Sequence, residues 1–127
     1  MLESVHWSTL VLDEAQNIKN ASTKQAQAAR ALTADNRIAL TGTPVENRLS
    51  ELWSILNFLN PGYLSSEASF RKQFAGSIER VGDKDTARKL KALTGPLILR
   101  RLKTDRAIIS DLPDKLEMKV YCTLTTE

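Results

Sequence analysis

Residues 11–20 read Val-Leu-Asp-Glu-Ala-Gln-Asn-Ile-Lys-Asn, and the fold turns on how the first four are understood. Trp7 to Leu12 (WSTLVL) is a short, mostly apolar run that stops at an acid. Its length and β-branched content predict a buried strand rather than a turn of helix. Two adjacent carboxylates at the carboxyl end of such a strand are costly to keep charged without a cation nearby. Nucleotide-hydrolysing folds use this pair in a defined way. The strand-end Asp holds magnesium, usually through water, and the next Glu orients and deprotonates the attacking water. Strand ends are also where open α/β sheets bind their ligands. Asp-Glu alone says little, because many strands end at an acidic turn.

Working outward, Ser22-Thr23-Lys24-Gln25 reads as a capping box with Ser22 as N-cap. The alanine-rich stretch after it predicts a helix to about Leu32, lying close on whatever it covers. Thr33 to Asn36 reads as a polar loop, and Arg37 to Thr41 (RIALT) as a second short buried strand closed by Gly42 and Pro44. Strand, helix, strand at this spacing is a βαβ unit, which implies parallel strands and a right-handed crossover. Thr41-Gly42-Thr43 would then lie beside Asp13-Glu14, where its hydroxyls can bond the acidic pair or a bound water. Leu49, Leu52, Trp53, Leu56 and Leu59 fall at helical spacing up to Asn60-Pro61-Gly62. Phe70 and Phe74 suggest a short helix after a Ser66 cap. Asp85 to Thr94 reads as a helix with Ala87, Leu90 and Leu93 on one side, ended by Gly95-Pro96. From Leu116 to Leu124 apolar and polar residues alternate strictly, the pattern of a strand with one wet face.

The chain of 127 residues is the size of one domain, with 42% apolar and 26% charged residues, an ordinary globular composition. It has no apolar run of about 18 residues, so no membrane span is expected, and no secretory signal is visible. Cys122 is the only cysteine, so an intramolecular disulfide is impossible, and a reducing compartment is expected. The charge is unevenly placed. From Arg71 to Arg106 eleven Lys or Arg stand against four acids, while the remainder holds seven bases and eleven acids. A basic segment of this kind suits a polyanionic partner, because each neutralised phosphate releases counterions.

VLDEAQNIKN, ALTGTPVENRLSELWSILNFLNPGYL, LILRRLKTD and DLPDK, in that order, resemble the Swi/Snf branch of the superfamily-two, helicase-like ATPases. The resemblance runs from about Trp7 to Leu124, and Gln16 with Ile18-Lys19-Asn20 looks more like the bacterial members. It implies an α/β fold: part of the parallel sheet of a RecA-like P-loop ATPase lobe, with an α-helical protrusion and a C-terminal strand. Residues 1–47 would be the second half of the first lobe, 48–95 the protrusion, and 96–127 the basic box and return strand leading to a second lobe. By resemblance Asp13 coordinates magnesium through water, Glu14 is the catalytic base, and Gln16 links the γ-phosphate of ATP to the inter-lobe cleft. Thr41, Gly42 and Thr43 resemble the box that couples hydrolysis to lobe movement. Lys19, Asn20, Asn47, Arg48, Arg100, Arg101 and Lys103 are the candidates for contact with DNA or the second lobe.

The implied function is part of an ATP-dependent translocase on double-stranded DNA, with Mg²⁺ as cofactor, in a bacterial cytoplasm and associated with the nucleoid. A phosphate-binding loop needs Gly, four residues, then Gly-Lys-Ser/Thr, and none of the five glycines here is followed by lysine. That loop and the second lobe, with its arginine finger, are therefore expected from the remainder of the motor. The alternatives are a non-enzymatic remnant or interaction module, and another superfamily-two helicase. The Glu-Leu-Trp helix and the Leu-Arg-Arg-Leu-Lys box weigh against an RNA helicase.

Overall fold

The computed structural model describes residues 2, 4–43, 48–100 and 118–120. The chain divides into two compact units, Met1–Thr94 and Gly95–Glu127. Both strands and all five α-helices found among the described residues lie in the first. In the second, Gly95–Leu97 form a single 3-10 turn. The alternating stretch expected as a strand lies outside the described residues except for 118–120, which form no strand.

β1 (His6–Leu12) and β2 (Thr33–Ala39) pair in parallel, with Leu10 opposite Arg37 and Leu12 opposite Ala39. The second strand starts at Thr33, not Arg37, and ends at Ala39, not Thr41. The polar residues expected to form a loop are instead held in the ladder by cross-strand bonds. His6 Nε2 lies 2.7 Å from Asp35 Oδ1, and Asn36 Nδ2 donates to the Ser8 carbonyl at 3.1 Å. Nor are the strands buried. Leu10, Leu12 and Ala39 face the core, but Val11 and its partner Ile38 are 51% and 46% exposed on the other side. A strand covered on both faces and one covered on a single face can carry the same apolar run.

α1 (Lys24–Ala31) crosses between the strands, and Thr23, not Ser22, caps it: Ala26 N–H donates to Thr23 Oγ1 at 3.2 Å. Ser22 is drawn away by Asn20, whose side-chain oxygen accepts from both its N–H and its hydroxyl. Ala26 is fully buried, as a close-packed helix requires.

α2 (Leu49–Leu59) is the central element. Leu52, Trp53 and Leu56 pack with Phe70, Phe74 and Leu90 in one cluster. Ile55 and Phe58 pack with Ala15, Ile18 and Ala26 in another. A helix apolar around most of its girth must be buried on two sides. Arg37 stacks its guanidinium 5.2 Å over the Phe58 ring and donates to the Phe58 and Leu32 carbonyls, which ties β2 to the end of α2.

α3 (Glu67–Phe70) has the expected Ser66 cap, and runs on through a π turn (Arg71–Ala75) into α4 (Gly76–Val81). Glu79 of α4 accepts from Leu49 N–H at 2.7 Å, capping α2, whose own N-cap residue, Arg48, offers no acceptor. Gly82, at φ 69°, ends α4 in a left-handed conformation that suits glycine. α5 (Lys84–Thr94) buries Leu90 and Thr94, whereas Leu93, expected inside, is 43% exposed. No helix among the described residues is long and apolar enough to cross a membrane.

Candidate functional site

The acidic pair sits at an irregularity where the two-strand ladder ends. Leu40 N–H donates to Leu12 O at 2.8 Å, continuing the parallel pairing one step past β2. A regular parallel ladder would then bring Glu14 N–H to Leu40 O. That carbonyl instead accepts from Ala15 N–H at 2.8 Å. One extra residue is accommodated, as in a β-bulge. Glu14 N–H is released and donates to its neighbour's carboxylate, Asp13 Oδ1, at 2.8 Å. Glu14 is thereby left at φ 50°, ψ 50°, a left-handed conformation that costs an L residue about 1–2 kcal/mol. Strain of this kind persists where surrounding structure enforces it, and it concentrates at functional positions. Both carboxylates reach solvent. The cost of burying them, inferred from a buried strand, is not incurred here, because the bulge turns the chain outward.

The 3-10 turn Ala15–Ile18 follows at once, with Ala15 and Ile18 buried as its anchors. Gln16 stands between the two boxes. Its Nε2 donates to Glu14 Oε2 at 2.5 Å, and its Oε1 accepts from Thr41 Oγ1 at 2.7 Å. Thr41 Oγ1 in turn accepts from Thr43 N–H at 3.2 Å, which sets the Thr41-Gly42-Thr43 turn. A continuous hydrogen-bonded path therefore joins the hydroxyl turn after β2 to the acid after β1. A glutamine suits this place because its amide donates at one end and accepts at the other.

A second tie was not legible in the sequence. Ser54, in the middle of α2 and fully buried, donates its hydroxyl to the Ile18 carbonyl at 2.6 Å. It clamps the turn carrying Gln16 onto the central helix. A serine set between Leu52-Trp53 and Ile55-Leu56 was the available signal, since a buried hydroxyl must find a partner.

Lys19, Asn20 and Arg48 line one cleft of about 880 Å³, together with Glu51, Glu67 and Arg71. Asn20 Oδ1 holds the turn before α1, so a structural duty accounts for that side chain in part. Asp13 and Glu14 lie outside this cleft, on open surface. Arg100 is exposed and belongs to the second unit. Asn47, Arg101 and Lys103 lie outside the described residues.

No group of three or more metal-binding side chains occurs among the described residues. This donor set excludes an all-protein cage there, but it fits magnesium, which keeps most of its waters and takes one or two carboxylates plus substrate phosphates. Asp13, with one oxygen engaged by Glu14 N–H, is the residue that would hold it.

The profile of the SNF2-related domain family matches residues 1–127. YwqA of Bacillus subtilis, which bears the name of an ATP-dependent helicase/translocase, is 50% identical over 126 residues, 99% of this chain and 14% of its own length. The human SWI/SNF-related matrix-associated actin-dependent regulator of chromatin subfamily A member 1 is 40% identical over 98% of this chain and 12% of its own. Among solved structures, the Sulfolobus solfataricus SWI2/SNF2 ATPase core in complex with dsDNA superposes with a TM-score of 0.80 at 54% identity. That match covers 98% of this chain and 26% of the Sulfolobus chain. The α/β fold is thus that of the SWI2/SNF2 ATPase core, and the chain spans about one seventh of the Bacillus relative.

Proposed function

The chain belongs to the SNF2-related family, and on that premise we propose that it forms the water-activating half of an ATP site in a motor that moves along double-stranded DNA. The observation that carries this reading is the path from Thr41 through Gln16 to Glu14. The path supports reading Glu14 as the proton acceptor and Gln16 as the group that responds to its surroundings, because it links the ends of two neighbouring strands.

Glu14 is the general base. Gln16 engages one of its carboxylate oxygens, and the other takes the proton of the attacking water. Gln16 also fixes where that carboxylate stands, and Thr41 fixes Gln16. A change at the γ-phosphate that moves Gln16 therefore reaches Thr41 and the chain that follows it. Asp13 is the residue that would hold Mg²⁺, and the ion would supply neutralisation of the charge developing on the phosphates. Residues 48–95 form the helical protrusion, built on α2. The phosphate-binding loop and the arginine finger are functions of the rest of the motor.

Two substitutions in the full-length protein test this. Glu14→Gln keeps the shape but cannot take the proton, and a positioned general base contributes roughly 10²–10⁴-fold. Turnover should therefore fall by at least about a hundredfold while ATP still binds. Asp13→Asn should instead weaken magnesium-dependent nucleotide affinity. If both variants hydrolyse ATP like the unmodified protein, the pair is only an acidic strand-end turn.

A further inference from the structure

α5 carries Lys84, Arg88, Lys89 and Lys91, all exposed, while Leu90 and Thr94 are buried and fix which side faces inward. At about 100° per residue, Lys84, Arg88 and Lys91 fall within roughly 60° of the helix circumference, and Lys89 lies about 100° round from Arg88. Nearby acids offset this charge only in part, since α5 itself holds one carboxylate, Asp85, against its four cations. Glu79 accepts from Leu49 N–H. Asp83 accepts from Asp85 N–H, Thr86 N–H and the Thr86 hydroxyl. Asp85 meets Arg88 at 3.1 Å in an exposed pair, a contact of little net strength. Of the four cations, only Arg88 has a carboxylate within ion-pair distance among the described residues.

We infer that the outer face of α5 is a second contact for double-stranded DNA, touching backbone phosphates away from the ATP site. This rests on the reading of the chain as part of a DNA motor. The composition of the face selects the partner. The outward arc from Lys91 round to Lys89 holds Lys84, Asp85, Arg88, Lys89, Lys91 and Ala92, and the large apolar side chain of α5 that borders it is a single leucine, Leu93, 43% exposed beside Lys89. A peptide partner is held by apolar or aromatic anchors seated in pockets, which this arc does not offer. A duplex backbone needs only a row of cations. Lys84 to Lys91 spans about 10 Å of helix, close to three base-pair steps of 3.4 Å. Contacts of this kind carry no base information, so the face adds grip that is the same at every step along the duplex.

The test uses the full-length protein and the triple variant Lys84→Gln, Lys89→Gln, Lys91→Gln; glutamine resembles lysine in helix propensity. Binding of two unrelated duplexes is measured from about 50 to about 200 mM salt, where log K falls by roughly 0.9 per phosphate contact for each tenfold rise in salt. The triple variant should show a slope shallower by up to roughly 2.7 with both duplexes, with unchanged ATP turnover in the absence of DNA. The corresponding triple Lys→Arg variant should keep the parent slope. If the triple glutamine variant keeps the parent slope, the face is only solvated and the inference is overturned. It is overturned equally if the variant loses binding of poly-glutamate but not of duplex, which marks a site for an acidic protein. If the unmodified protein binds no duplex at all, the DNA-motor reading itself fails, a result distinct from either of these.

Discussion

Ser54→Ala removes a single oxygen, yet the geometry makes it an informative change. The hydroxyl is fully buried and donates at 2.6 Å to the Ile18 carbonyl, on the turn that carries Gln16. Alanine leaves almost no cavity and favours the helix, so packing and propensity contribute little. The loss is the hydrogen bond, plus a buried carbonyl deprived of its donor. A net bond is worth about 1 kcal/mol, and an unsatisfied buried group costs about 1–3 kcal/mol. The change should therefore loosen the turn by about 1–3 kcal/mol, or roughly 5- to 150-fold in an opening equilibrium. Hydrogen exchange of the full-length protein reads this locally. Asn17 and Lys19 N–H, which bond to Glu14 O at 2.9 Å and Gln16 O at 3.1 Å, should lose protection by that factor, and α5 amides should not change. Protection of residues 15–18 within about twofold of the parent would mean that the buried cores alone hold the turn, and that Ser54 is not a clamp. ATP turnover should fall with protection, because Glu14 and Gln16 are positioned by the same turn.

Thr41→Val keeps the shape of the side chain but removes the donor to Gln16 and the acceptor for Thr43 N–H. DNA stimulation of ATP turnover should drop by about fivefold, the value of one net hydrogen bond of about 1 kcal/mol; an unchanged ratio of stimulated to basal turnover would break the proposed path. The carboxyl of Asp83 is held below the usual carboxylate range, chiefly by the Thr86 hydroxyl, then by Thr86 N–H, with Asp85 N–H and Lys89 adding to the effect. Because the folded value is depressed, the cap stabilises α5 fully above the ordinary aspartate range and loses that effect as pH falls through the folded value. Thr86 N–H protection should thus survive to below about pH 4 and vanish in stronger acid; loss at or above the ordinary value would contradict it.

Local chemistry made much of this protein legible in the sequence. The apolar run ending at Asp13-Glu14, the alanine-rich crossover and the second run ending at Thr-Gly-Thr specify adjacent parallel strands, and hence a shared end for both boxes. The Ser66 cap and the stop at Asn60-Pro61-Gly62 were equally local, since each depends on side chains within a few residues. Boundaries set by partners could not be read this way. β2 begins at Thr33 because His6 and Ser8, far away in the chain, hold Asp35 and Asn36.

What only tertiary structure decided follows the same division. The heptad-like stripe of α2 showed one buried face; two cores meeting on that helix also bury Ile55, Phe58 and Ser54. The π turn and α4 bring Glu79 to the start of α2, a cap thirty residues distant that no N-terminal motif records. The bulge at Glu14 exists because Leu40 O takes Ala15 N–H, a choice made by the neighbouring strand. Residue types state which bonds are possible. Which donor reaches which acceptor is settled only when separate elements pack, because burial penalises every polar group left without a partner.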